Sequence, residues 1–134
     1  MATQIFVNIP VKDLNKSIAF FTELGYTFNP QFTDEKATCM IVSETIYVML
    51  LTEPFFKSFT KKEITDTAVA NECILCLSAD SREAVDEIIK KAVQAGATAL
   101  SSVQDYGFMY NHGFTDLDGH FWEYTWMDPS HIQS

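Results

Sequence analysis

The sequence predicts an α+β fold made of two tandem β-α-β-β-β modules. Three observations predict it. Short runs of β-branched and aromatic residues are interrupted twice by stripes at helical spacing. The order of elements is the same in both halves of the 134-residue chain. The punctuation repeats as well, because a capping Asp13 is answered by Asp80 and a closing Gly25 by Gly96. One such module would leave a sheet face uncovered, whereas two can cover each other or share a concavity.

The first module is expected over about residues 1–52. Gln4–Pro10 is β-branched and aromatic and stops at a proline, as a strand does. Asp13 then offers an N-cap carboxylate, and Leu14, Ile18, Phe21 and Leu24 follow at helical spacing up to Gly25. Three apolar runs come next, Tyr26–Phe28, Ala37–Val42 and Ile46–Leu51. Asn29-Pro30, Thr33–Lys36 and Ser43–Thr45 supply the turns between them. The short last connection implies an antiparallel hairpin.

Residues 53–71 mix Phe55, Phe56 and Phe59 with lysines and threonines, and are expected to form a linker or lid with some helix. The second module is expected over about 72–127, with a tail at 128–134 that holds His131. Glu72–Ala79 is strand-like, and Asp80 with Glu83 has the capping-box spacing. Val85, Ile88, Ile89 and Ala92 make the helical stripe. Ala97–Val103, Phe108–Thr115 and His120–Trp126 are three further strands, the last two joined by the turn Asp116-Leu-Asp-Gly119.

Composition limits the partners. Apolar residues are 47% and aromatics 13% of the chain, enough for a core and too much for disorder. The chain buries roughly two-thirds of its unfolded surface on folding. With 18 acidic against 9 basic residues the formal charge is −9, which disfavours nucleic acid and anionic membrane surfaces. No uninterrupted apolar stretch is long enough to cross a bilayer. Met1-Ala2-Thr3-Gln4 shows no basic segment leading into an apolar run, so no secretion signal is expected. Cys39, Cys73 and Cys76 are an odd number and suggest no disulfide framework, which favours a cytoplasmic home.

Cys73-Ile-Leu-Cys76 matches C-x-x-C, but on a strand the two side chains point to opposite faces with Cα atoms about 10 Å apart. A disulfide needs them within about 7 Å. Two buried, inert thiols are expected instead. In the run from Phe121 to Trp126, alternation puts Phe121, Glu123 and Thr125 on one face and Trp122, Tyr124 and Trp126 on the other. Glu123 would then point to water, line a pocket or ligate a metal. His120 falls on the opposite face from Glu123, so the two cannot share an ion. His112, in an aromatic-dense loop-to-strand segment, is expected at the surface or in a hydrogen bond. There is no P-loop, G-x-G-x-x-G, G-x-S-x-G or H-E-x-x-H motif, hence no sign of nucleotide binding or a serine nucleophile.

The segment Pro10-Val-Lys-Asp-Leu-Asn-Lys-Ser-Ile-Ala-Phe-Phe21 with Leu24-Gly25 resembles the opening signature of the vicinal oxygen chelate superfamily. Phe114-Thr-Asp-Leu-Asp-Gly-His-Phe-Trp-Glu123 resembles its closing one. That superfamily holds glyoxalase I, bleomycin-resistance proteins and extradiol dioxygenases. The aromatic segments Tyr106–Tyr110 and Trp122–Met127 look like an uncharacterised glyoxalase-like branch of it. The resemblance covers almost the whole chain and implies a mixed, curved sheet forming a concave pocket, in a homodimer.

Family enzymes hold a divalent metal through four side chains, two per module. Carried over by position, the ligands fall on Phe6, near Leu50, on Ile74 (Cys73 if the register slips by one) and on Glu123. Only Glu123 is a donor, and transition-metal sites need three or four. The resemblance thus implies a pocket lined by Phe6, Leu50, Ile74, His112 and Glu123, with no metal and no cofactor. Glu123 would act there as acid/base or as anchor for a cationic or hydrogen-bonding small molecule. Two alternatives stand beside this. One is a metal-dependent lyase or dioxygenase with relocated ligands, Glu123 and His112, of lactoylglutathione lyase-like or dioxygenase-like activity. The other is a drug-sequestering binding protein.

Overall fold

The first of two β-sheets has the strand order β1-β4-β3-β2, the second β5-β9-β8-β6 with β7 also paired to β8. They belong to a computed structural model that describes residues 2–131. The chain divides into two compact units, the first ending at Thr65 and the second beginning at Asp66. Each carries one sheet, so the strands make two mixed sheets rather than one.

In the first unit the elements run β1 (Ile5–Val11), α1 (Leu14–Glu23), β2 (Thr27–Asn29), β3 (Ala37–Ile41), β4 (Ile46–Thr52) and the short α2 (Glu53–Lys57). Asp13 caps α1 as its sequence position suggests, its carboxylate accepting from Lys16 N at 3.1 Å. Gly25 follows at φ +102°, the left-handed conformation that ends a helix most cheaply at glycine. β1 pairs with β4 in parallel, while β4–β3 and β3–β2 are antiparallel. The parallel pair is possible because α1 and the hairpin lie between its strands in sequence. Ile9, Val11, Met40, Val48 and Leu50 are buried, as are Phe20, Phe21 and Leu24 of α1 and its end. α2 and the phenylalanines beside it supply the partial helix expected of the linker.

In the second unit β5 (Ile74–Ser78) and α3 (Arg82–Gln94) precede β6 (Thr98–Ala99), β7 (Gln104–Asp105), β8 (Met109–Thr115) and β9 (Phe121–Met127). β5 and β9 are parallel, and the other pairs antiparallel. Two expectations need correction here. The cap of α3 is Ser81, whose hydroxyl accepts from Ala84 N at 3.0 Å, and not Asp80. The single strand foreseen over Ala97–Val103 is instead two two-residue strands, β6 and β7, on either side of a loop. Ser101, Ser102 and Val103 between them are exposed and interrupt the ladder. Pro129–His131 form a 3-10 turn, and the rest of the foreseen tail, residues 132–134, lies outside the described residues. Among the described residues no helix is long and apolar enough to cross a membrane.

The turn joining β8 to β9 is held by Asp116. Its carboxylate accepts from the backbone of Asp118 (2.9 Å) and His120 (3.0 Å) and from Trp122 Nε1 (2.9 Å). Burial pushes the Asp116 carboxyl up in pKa, and neighbouring His120 with these hydrogen bonds pulls it back only in part. Gly119 sits at φ +80°, and Thr67 occupies the space a side chain there would need. Thr67 Oγ1 donates to Asp118 O, and Glu72 Oε1 lies 2.7 Å from His120 Nδ1. The segment from Asp66 to Cys73 is thereby laced to the turn.

Candidate functional site

Strand register decides which predicted site residues meet. On β9, Trp122 is 0% exposed and Tyr124 4%, whereas Phe121, Glu123 and Thr125 on the alternate face are half-buried. The alternation expected of this strand is therefore observed. Glu123 lies directly opposite Cys76 on β5 and Gly113 on β8. Thr125 lies opposite Asn111, and Asn111 opposite Gln104 of β7. One face of the second sheet thus gathers a carboxylate, a thiol and two carboxamides.

Part of this face is a cleft of about 230 Å³ lined by Leu100, Ser101, Ser102, Gln104, Asn111, His112, Phe121 and Glu123. Asn111 is fixed from both ends of its amide: Oδ1 accepts from Thr125 Oγ1 at 2.8 Å and Nδ2 donates to Gln104 Oε1 at 3.3 Å. His112 Nε2 is 3.1 Å from the Leu100 carbonyl, which can only accept, so Nε2 carries the proton. Gly113 has no room for a side chain, since a Cβ would stand 2.5 Å from the Trp122 carbonyl oxygen. The bare backbone lets β8 and β9 close tightly beside Glu123.

Ile74 shares the Glu123 face, in register with Phe121, but is 54% exposed and outside the cleft lining. Cys73 and Cys76 are exposed, and the expectation of buried thiols is wrong. The Cys76 thiol is nevertheless raised in pKa, first by partial burial and then by the Glu123 carboxylate hydrogen-bonded to it. It is a weak nucleophile in this state.

In the first unit Phe6 and Leu50 do not share a face. Phe6 is 50% exposed and stacks on Tyr47 with ring centroids 4.9 Å apart. Leu50 is 0% exposed, on the face of β4 opposite to Tyr47. Leu50 therefore faces the core, and one residue along a strand is a change of face. Its neighbour Leu51 does line a hollow of about 380 Å³, with Asn8, Phe56, Phe59 and Thr60.

The positions carried over for a divalent metal bear mostly apolar side chains. Phe6, Leu50 and Ile74 offer no donor atoms, and His112 sits in register with Tyr124 rather than with Glu123. Among the described residues no three His, Cys, Asp or Glu side chains are grouped so as to hold an ion. Of the cleft residues the sequence points to Glu123 and His112, and it places Phe121 only on the Glu123 face. Gln104 and Asn111 were missed, because Asn111 joins the Glu123 face only through its pairing with Thr125. Gln104 gave no signal, because its strand is two residues long.

The family model for the bleomycin resistance protein-like N-terminal region matches residues 3–43. A search of curated proteins gave no match. Among solved structures, a hypothetical protein, SA1046, from S. aureus is similar over 93% of this chain and 94% of its own, at 26% identity and a TM-score of 0.78. A glyoxalase/bleomycin resistance protein/dioxygenase family enzyme from Burkholderia phytofirmans PsJN matches over 94% and 99% of the two chains, at 17% identity and a TM-score of 0.79. A bleomycin resistance determinant encoded on the transposon Tn5 matches over 95% and 99%, at 17% identity and a TM-score of 0.66. The fold is that of the glyoxalase/bleomycin resistance/dioxygenase proteins. With the family match on residues 3–43, the chain is similar to the vicinal oxygen chelate superfamily and has its fold.

Proposed function

We propose that the chain is a small-molecule-binding protein whose second-module cleft anchors a cationic or hydrogen-bond-donating ligand on Glu123, without a transition metal. The observation that carries this is the makeup of the cleft. Its only charged side chain is the Glu123 carboxylate, set beside Asn111, Gln104 and the Phe121 ring in about 230 Å³. A carboxylate and two carboxamides beside a ring supply acceptors for an amine, amidine or amide N–H. Glu123 is also the group placed to take or give a proton should the ligand be transformed. Sequestration of a drug-like molecule is the companion reading, favoured by the N-terminal family match and the likeness to the Tn5 determinant.

Exposed Phe6, Ile5 and Ile74 on strand faces support assembly as a homodimer, and three free cysteines suit the cytoplasm. A panel of small amines and amidines, titrated by calorimetry against the parent protein and Glu123→Gln, tests the site. Saturable binding that falls at least tenfold in Glu123→Gln is expected, and equal binding by both proteins would refute the anchor. Elemental analysis of protein purified without metal-affinity resin tests the other clause: stoichiometric Zn, Ni, Fe or Mn would overturn it. In that event, loss of metal on substituting His112 and Glu123 would establish the relocated-ligand enzyme.

A further inference from the structure

One wall of the cleft is the loop from Leu100 to Gln104, and little in its own sequence holds it. β6 and β7 give it two paired residues at each end. Leu100 at its start is held by the Gly113 carbonyl and His112, and its far end is fixed from the opposite side of the sheet. Arg82, the first residue of α3, forms a two-pronged pair with Asp105, Nη1 to Oδ2 at 2.7 Å and Nη2 to Oδ1 at 2.9 Å. Its Nη2 also donates to the Gly107 carbonyl at 2.8 Å. The guanidinium lies over the Tyr110 and Trp126 rings, 5.0 and 5.3 Å from their centroids. Asp105 Oδ1 in turn accepts from Gly107 N at 2.9 Å.

Gln104 and Asp105 are adjacent in a strand, so their side chains must point to opposite faces. Register confirms the split, with Asp105 opposite Tyr110 and Gln104 opposite Asn111. Holding Asp105 against α3 therefore holds Gln104 in the cleft, where it accepts from Asn111. A slip of one residue in so short a strand would exchange the two, and β7 alone has too few ladder bonds to forbid it.

We propose that Arg82 is a positioning residue for the ligand cleft: by clamping Asp105 on the helix side it fixes the loop 100–104 and the Gln104–Asn111 pair on the other side. The inference rests on the cleft being the ligand site, yet the placement of Gln104 can be measured without any ligand. Lysine is not a substitute, because an ammonium cannot make the planar two-pronged contact and lie over the rings at once. Arg82→Lys and Arg82→Gln attack the clamp from the helix, and Asp105→Asn attacks it from the loop.

The test combines two readouts on the full chain. Side-chain amide signals of Gln104 and Asn111, followed by NMR, should shift in all three variants, with hydrogen exchange at least tenfold faster. Benzamidine, as a cationic aromatic probe, should bind Arg82→Lys about tenfold more weakly than the parent at a nearly unchanged melting temperature. Glu123→Gln should abolish benzamidine binding and leave the two amide signals with parent-like exchange. Unchanged amide shifts and exchange in Arg82→Lys and Asp105→Asn would overturn the proposal. So would a benzamidine Kd within twofold of the parent in Arg82→Lys while Glu123→Gln loses binding. If benzamidine binds not even the parent, the ligand reading fails and the amide signals alone decide Arg82.

Discussion

Removing the Asp116 carboxylate should be among the most damaging single changes in the second unit, and the structure gives its size. Asp116 is 8% exposed and satisfies three donors, of which the bonds to His120 N and Trp122 Nε1 are fully buried. Asp116→Ala strands both, and each unsatisfied buried donor costs about 1–3 kcal/mol. Removing a buried carboxylate returns part of that, because its charge was costly to bury. A net loss of about 3 kcal/mol follows, which for a chain of this length is a fall of roughly 10 °C in melting temperature. Asp116→Asn keeps an oxygen for the two backbone donors and turns an amide toward the indole N–H, so it should lose about half as much. Urea unfolding followed by circular dichroism measures both. A loss below about 1 kcal/mol for Asp116→Ala would refute the claim that this carboxylate holds the β8–β9 turn. The pH dependence carries a separate sign. The Asp116 carboxyl is raised in the folded state, so the native form binds its proton more tightly than the unfolded form. Its contribution to stability is therefore greatest below the usual carboxylate range and declines as pH rises from there to the folded value. From pH 7 down to pH 4 the parent should gain on Asp116→Asn.

Leu50→Ala should cost about 2–5 kcal/mol, because that side chain is wholly enclosed, and Phe6→Ala less than 1, because half of Phe6 already faces water. Comparable losses would contradict the register of β1 and β4. Gly113→Ala should destabilise by about 1–3 kcal/mol, since its methyl would meet the rigid Trp122 carbonyl at 2.5 Å and must push β8 from β9. Amide exchange in both strands would quicken, and a neutral effect would sink that account. The Asp105 carboxyl is held down at about 2 by the Arg82 guanidinium hydrogen-bonded to it and by Gly107 N. Its depressed value means the clamp is intact above the ordinary carboxylate range and is lost only as pH falls toward 2. Gln104 and Asn111 amide shifts should therefore hold constant from pH 7 to about pH 4, and a transition near pH 5 would count against it.

How far the sequence reached depended on how local the deciding interaction was. The Asp13 cap, Gly25 and Gly96, the β8–β9 turn and the faces of β9 are set within a few residues, where spacing and capping chemistry speak directly. Ser81 displaced Asp80 as a cap because both residue types suit the position and only the path of the chain chooses between them. The face of Leu50 was not legible, because a position carried over from a distant motif is approximate and a strand changes face at every residue.

By itself, then, the sequence determined most of the order of elements, the mixed α+β class and the acidic, aromatic character of the chain. It also singled out Glu123 as the donor at the carried-over positions. Only the tertiary structure decided what stands beside Glu123. Cys76, Gly113, Asn111 and Gln104 reach that face from three other strands, and Arg82 steadies it from a helix 23 residues away from Asp105 in sequence. The physical reason is that periodicity records which face a residue occupies on its own strand. Which strand lies alongside, and in what register, is fixed by packing between segments far apart in the chain.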